Sequence, residues 1–247
     1  MIVGAAAAAA AVLGSLGIPG RSPGTWVRAV VATTKAAGTA RVVVTFRSTG
    51  VQHRVRLTGV VDFPADAYRL TATSSGPPVN RVVQIRIGDR SYLSASAAGV
   101  QTVWEEPVDP ALQRALDVSG QVFGVLAGSS AIWQVHDLGG SPVRGGTTRY
   151  RVTVRAPAPI CAPVTVLAPT LQVWVDGHSR LVRSQLTTRF RLPTAAGGWS
   201  AWQSNVQTVD LSRFGAPVTI TAPPASRVQR LPPSASHSTL PAPGGCR

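Results

Sequence analysis

Few side chains in this sequence can do bond chemistry: its 247 residues carry two cysteines, four histidines and ten carboxylates. Lysine is all but missing, Lys35 being the only one among 24 basic side chains and the rest arginine. Each scarcity excludes something. His53, His136, His178 and His237 are far apart, and none lies three or four residues from another metal ligand, so no metal site is spelled out. Glu105 and Glu106 are adjacent, precede Pro107 and would point apart if extended; they read as a polar loop, not as a general acid and base. Gly139-Gly140 and Gly145-Gly146 lie between strand-like segments, whereas a phosphate cradle needs a glycine-rich turn from strand to helix. The nucleophile pattern Gly-x-Ser-x-Gly occurs once, as Gly20-Arg21-Ser22-Pro23-Gly24, with no strand before it, so Ser22 reads as a linker residue. The expectation is a non-enzymatic protein with no cofactor and no metal.

What is present is apolar and basic. Hydrophobic residues make up 44% and charged ones 14%, the balance of a folded chain, and the length suits one β-rich domain. A formal charge of +14 favours anionic partners. The arginines are spread singly, as in Arg41, Arg47, Arg54, Arg56, Arg149, Arg151 and Arg155, and alternate with apolar residues, which reads as the solvated face of strands. Met1 to Ile18 has no charged side chain and Ala5 to Leu13 is nearly pure alanine, ahead of a break at Pro19-Gly20. Residues 1–24 are therefore expected to be a signal sequence or N-terminal membrane anchor plus linker, and the protein to be exported. A single domain over 25–221 and a Pro/Ser-rich disordered tail over 222–247 follow. In an exported chain Cys161 and Cys246 either pair, pinning the tail to the body, or stay free thiols.

Periodicity supplies the elements. Trp26, Val27, Val30 and Val31 are spaced for a helix that stops at Gly38. Period-two alternation then marks strands over Ala40–Arg47, Val51–Phe63, Asp66–Thr73, Arg81–Gly88 and Arg90–Ala95, joined by short turns in an antiparallel meander. Leu112, Leu116, Phe123 and Leu126 form one apolar stripe on a second helix between Pro110 and Ser129, weakened by Gly120 and Gly124. Alternation returns over Ala131–Leu138, Thr147–Arg155, Leu171–Val175, Arg180–Leu192 and Trp199–Leu211, with Asp176-Gly177 turning a hairpin. No strand-helix-strand repeat occurs, so the fold class is α+β: one large bent antiparallel sheet of about ten strands with helices on one face.

Several stretches carry a resemblance: TTKAAGTARVVVTF at Thr33–Phe46, GVVDF at Gly59–Phe63, IGDRSYL at Ile87–Leu93, Trp104, VRGGTTRYRVTV at Val143–Val154 and LQVWVDGHSRLVRSQL at Leu171–Leu186. In order and spacing the chain resembles the LppX/LprG family of envelope lipoproteins, relatives in shape of the LolA lipoprotein carriers, over most of residues 26–211. The resemblance implies a half-barrel whose concave face, covered by helices, holds the acyl chains of lipids or lipoglycans, in a monomer of the cell envelope. Family members usually carry a lipidated cysteine after the signal, and Leu13–Gly20 has none. In such a half-barrel the ligand-facing residues would be Val42, Val44, Phe46, Val55, Leu57, Leu70, Val83, Ile85, Val152 and Val173, with Leu112, Leu116, Phe123 and Leu126 of the second helix. The same residue types would equally fill a solid core.

Three function classes stay open. A lipid-binding carrier would use the apolar face. A peptide-sensing or anti-sigma-regulatory module would use the same shape, which periplasmic regulators share. An anionic-polymer binder would use the arginines with Trp104, Trp133, Trp174, Trp199 and Trp202, although export argues against nucleic acid as partner. In a milder form, an arginine-rich outer face would rest on anionic membrane headgroups.

Overall fold

The computed structural model describes residues 22–49, 51–73, 80–97, 100–101, 103–107, 132–140, 146–154, 165–167, 169–194 and 197–231. The second helix expected between Pro110 and Ser129, both cysteines and the apolar segment before Ser22 lie outside them.

Helix α1 spans Pro23–Ala36. Ser22, expected in a linker, is its N-cap: the side-chain oxygen accepts the Thr25 N–H at 3.4 Å, and Pro23 sits in the first turn, where its missing N–H is no loss. The helix stops because Gly38 takes a left-handed conformation (φ +83°) and donates its N–H to the Lys35 carbonyl at 3.0 Å. Val27, Val30, Val31 and Thr34 form its buried stripe.

Among the described residues fourteen strands follow in chain order. β1 is Thr39–Ser48, β2 Val51–Asp62, β3 Ala67–Thr73, β4 Asn80–Ile87, β5 Arg90–Ala97, β6 Val100–Gln101 and β7 Trp104–Pro107. β8 is Ile132–Gly140, β9 Thr147–Val154, β10 Thr165–Val166, β11 Thr170–Asp176, β12 Leu181–Arg191, β13 Gln203–Ser212 and β14 Val228–Leu231. Twelve of them form one open, curved sheet in the order β14-β7-β5-β4-β3-β2-β1-β13-β12-β11-β9-β8. Every pairing is antiparallel except β14 with β7; β6 flanks β5 and β10 flanks β12. This is the half-barrel, and the strands beyond the expected ten are the short ones, β6, β7, β10 and β14.

The sheet has two ends. One, the helix end, holds the C-terminus of α1 and the starts of β1, β3, β5 and β12; Phe63 donates its N–H to the Gly38 carbonyl there at 2.9 Å. The other, the distal end, holds Ser48, Thr73 and the connection from Arg191 to Gln203. At the helix end Asp176 organises the β11–β12 turn: it accepts the backbone N–H groups of His178 and Arg180 at 3.0 and 2.9 Å and the Arg180 guanidinium at 2.7 Å. Burial works against its charge, but these bonds hold its carboxyl below the usual range.

Two readings are corrected. Glu105 and Glu106, expected in a loop, lie on β7, and Glu106 is buried beneath a bidentate bond from Arg90 at 2.7 and 3.0 Å, with Arg230 3.6 Å away. Residues Val228–Leu231, expected in the disordered tail, form β14; a four-residue strand set between prolines carries too little alternation to read. Between β13 and β14 the chain runs from Arg213 to Arg227, past six strands of the sheet, and is fastened at its start by Gly215 N–H to the Thr39 carbonyl (2.9 Å) and Thr39 Oγ1 to the Ala216 carbonyl (2.6 Å).

Helix and sheet are joined by one buried hydroxyl. Thr34 is 0% exposed; its Oγ1 donates to the Val30 carbonyl at 2.7 Å and accepts the Leu181 N–H at 2.8 Å. Thr34→Val keeps the shape and orphans a buried N–H, so unfolding free energy is expected to fall by about 1–3 kcal/mol, read as a lower denaturant midpoint with unchanged slope. Thr34→Ser should recover most of it. At the other edge the Arg90 hydrogen bond, ahead of the opposing burial, holds the Glu106 carboxyl below its ordinary value. The folded state therefore binds that proton more weakly than the unfolded chain, so the contribution is present above about pH 4.3 and is lost as pH falls through the depressed value. Glu106→Gln should flatten this acid limb and speed amide exchange in Val228–Leu231, measured by mass spectrometry.

Candidate functional site

Residues facing each other across antiparallel strands share a face of the sheet, so the register sorts the sequence into two surfaces. On the inner face, which α1 covers, Val42 lies opposite Gly59 and Leu211, Val44 opposite Leu57 and Val209, and Phe46 opposite Val55 and Gln207. Gly59 cannot carry a side chain, because a Cβ there would run into the Arg69 carbonyl on β3; the two strands approach too closely. Val42, Val44, Leu70, Val152 and Val173 are buried in one cluster with Val27, Val30 and Val31 of α1. Trp26 closes it against Tyr150, ring centroids 4.6 Å apart, and burial pushes the Tyr150 hydroxyl up from its ordinary pKa.

Towards the distal end this cluster opens. Phe46, Val55 and Leu186, with Thr188, Asn205 and Gln207 at the rim, line a cavity of about 490 Å³. That volume falls within the range of small-molecule pockets. Its walls are mostly carbon, and Val55 is 47% exposed at its mouth. A larger groove of about 660 Å³ lies on the outer face among Arg41, Arg47, Arg56, Arg183 and Asp210, but its walls are polar. Of the two, the smaller cavity suits an apolar ligand.

The expected ligand-facing set thus divides. Val42, Val44, Leu70, Val152 and Val173 lie in the cluster under α1, Phe46 and Val55 line the cavity, and Leu57 packs between them, partly exposed. Val83 and Ile85 are on the other side of the sheet: their partners are Thr71 and Arg69 on β3, while the inner residues of β4 are Val82, Gln84 and Arg86. Ile85 is buried there opposite Tyr92. Leu112, Leu116, Phe123 and Leu126 lie outside the described residues. Leu186 escaped the sequence reading although it alternates correctly on β12, because the strand around it is rich in threonine and arginine.

Arginine occupies the outer face. Arg41, Arg47, Arg56, Arg69 and Arg151 are exposed, and Arg149 half-buried beside them. Arg183 lies 3.6 Å from Asp210 and stacks over the buried Trp174 ring at 5.3 Å. Arg54 and Arg155 are not described at the side-chain level.

No family model matches the sequence, and no curated protein matches it. Among solved structures, the lipoprotein LppX of Mycobacterium tuberculosis superposes with a TM-score of 0.50 at 19% identity, over 80% of this chain and 97% of LppX. The chain has the fold of LppX. LprF of Mycobacterium bovis matches with a TM-score of 0.42 at 15% identity, over 81% of this chain and 96% of its own. The LppX-type half-barrel expected from the sequence is therefore present, and with it the inner and outer faces just described.

The face assignment has a direct check. Val44→Asp puts a carboxylate at a position 0% exposed with no partner, and should cost at least 3 kcal/mol. Val83→Thr, on the half-buried outer face, should cost less than about 1 kcal/mol. Comparable losses from the two, in denaturant titrations, would overturn the register.

Proposed function

We propose that this is an exported, non-enzymatic protein of the cell envelope that carries lipid by holding acyl chains against the inner face of the half-barrel. The observation that supports this most is the apolar cavity of Phe46, Val55 and Leu186, open at the distal end of an LppX-type sheet. A chain entering it would gain about 0.8 kcal/mol for each methylene taken from water, so affinity needs no specific polar contact. Asn205, Gln207 and Thr188 at the rim suit hydrogen bonding to a headgroup or its linkage. Lipids or lipoglycans are the ligand class, and the protein acts as a monomer.

Among the described carboxylates, Asp66, Glu106, Asp176 and Asp210 each lie against an arginine. Among the described residues no three of His, Cys, Asp and Glu come together. No helix among the described residues is long and apolar enough to cross a membrane.

Native mass spectrometry of the chain purified from a host with a comparable envelope, followed by organic extraction, tests the reading. Discrete lipid adducts are expected, and Val55→Trp, which fills the mouth from an exposed position, should reduce them several-fold without changing thermal stability. A clean apo mass, with no uptake from envelope lipids and with binding of unfolded peptide instead, would replace the carrier by the regulatory module.

A further inference from the structure

Large apolar side chains are exposed at six described positions: Val55, Val103, Leu167, Leu192, Trp199 and Trp202. All six lie towards the distal end. Val55 is at the cavity mouth and Val103 follows the β5–β6 turn, while the other four gather where β12 passes into β13. Leu167 joins them because its N–H bonds to the Arg189 carbonyl at 2.9 Å.

Hydrogen bonds tie the described parts of the connection together. Pro193 bridges to Trp199, Ser200 donates its N–H to the Leu192 carbonyl at 2.8 Å, and Ser200 Oγ accepts the Leu192 N–H at 3.0 Å. Thr194 donates to the Gly198 carbonyl at 2.8 Å. Over this frame Arg191 stacks on Trp199 at 4.7 Å and on Trp202 at 5.1 Å, and Arg189 stacks on Trp202 at 5.8 Å. Yet Trp199 and Trp202 stay 48% and 38% exposed. From Leu181 to Val209 the sequence has no carboxylate.

We propose that this connection is a membrane-docking tip, with Trp199, Trp202, Leu192 and Leu167 seated in the interfacial layer of an anionic bilayer and Arg189 and Arg191 at its headgroups. Indoles favour the water–hydrocarbon boundary, and arginines next to an anionic surface are held there electrostatically. Stacked on indole, the guanidinium keeps its charge while the ring beneath it enters the apolar layer. Single-stranded nucleic acid would use the tryptophans and arginines for stacking, but it has no use for two exposed leucines beside an apolar cavity. Thr188 of the cavity rim faces inward and Arg189 outward, but both stand at the distal end of β12, so docking through that end sets the mouth near the membrane. The cargo role of that geometry rests on the carrier reading above; the docking itself does not.

Hydrogen exchange by mass spectrometry on the full chain, with and without vesicles containing 30% phosphatidylglycerol, reads docking residue by residue and separates it from any binding through residues 1–21. Peptides covering Arg189–Trp202 should gain protection, less so with neutral vesicles and less again in high salt. Trp199→Ala with Trp202→Ala should cut vesicle affinity at least tenfold and abolish that protection, while leaving the melting temperature unchanged, since both rings are exposed. Arg189→Gln with Arg191→Gln should weaken binding several-fold and flatten the salt dependence. Protection that survives the tryptophan changes, that moves to the strands carrying Arg149 and Arg151, or that single-stranded DNA reproduces in place of vesicles would overturn the proposal. Native mass spectra of the same variants keep the two ideas apart: vesicle protection without lipid adducts sinks the carrier and leaves the tip, and adducts without protection do the reverse.

Discussion

Twelve strands about 4.8 Å apart make a sheet roughly 50 Å across, whereas α1 is a rod about 21 Å long and 10 Å wide. One such helix cannot cover one face of such a sheet. Its buried stripe seats Val27, Val30, Val31 and Thr34 over the strands' helix-end halves, and the covered inner residues there are excluded from water almost completely. Where α1 stops, the same strands continue with Phe46, Val55 and Leu186, and the face changes from core to cavity wall. Nothing in residue type marks that boundary. Among the described residues it follows the length of the helix and the point where Thr34 fastens it to Leu181.

This explains how much was legible. Alternation and turn residues located α1 and the ten longer strands to within four residues at either end, because a half-buried surface imposes period two wherever it runs. Alternation says which residues of one strand share a face, but not which side of the sheet that face is. β4 shows the consequence: Val83 and Ile85 are apolar and alternate well, yet they pack outward with Tyr92, while Gln84 points inward to donate to the Tyr68 hydroxyl at 2.9 Å. Glu106 misled for the opposite reason. A carboxylate signals exposure only when no partner is in reach, and Arg90 is brought to it by the neighbouring strand β5 and Arg230 by β14, far away in sequence.

The shortage of carboxylates, first met as an absence of catalytic groups, also shapes the surface. Glu106 holds the β5–β7–β14 edge, Asp176 the β11–β12 turn, and Asp210 faces Arg183 on the outer groove. With these spent on internal pairing, few acidic groups are left to offset the outward arginines. In water such a face repels itself mildly; against an anionic surface the same unbalanced charge becomes attractive, and the attraction is greatest where apolar side chains allow close approach. That condition is met at the β12–β13 connection and not along β9, where Arg151 faces Gln172 and Arg149 faces Trp174, whose ring is buried.

A lipid moved between a bilayer and a protein cavity has one unavoidable barrier, the exposure of its methylenes during transfer, at about 0.8 kcal/mol for each. A long chain crossing even a thin layer of water would be slow for that reason alone. The barrier falls only if the mouth meets the membrane before the chain leaves it. In this fold the cavity, the exposed tryptophans and the stacked arginines share one end of the sheet: Leu186, Arg189 and Arg191 are on β12, Asn205 and Gln207 on β13, and Trp199 and Trp202 in the connection between them. Seating the tip would therefore bring Leu186 and Val55 within a few residues' reach of the acyl layer, so a chain could pass from one apolar environment to the other with only part of its length wetted. On this argument the rate of exchange, more than the affinity for cargo, is what the tip would control.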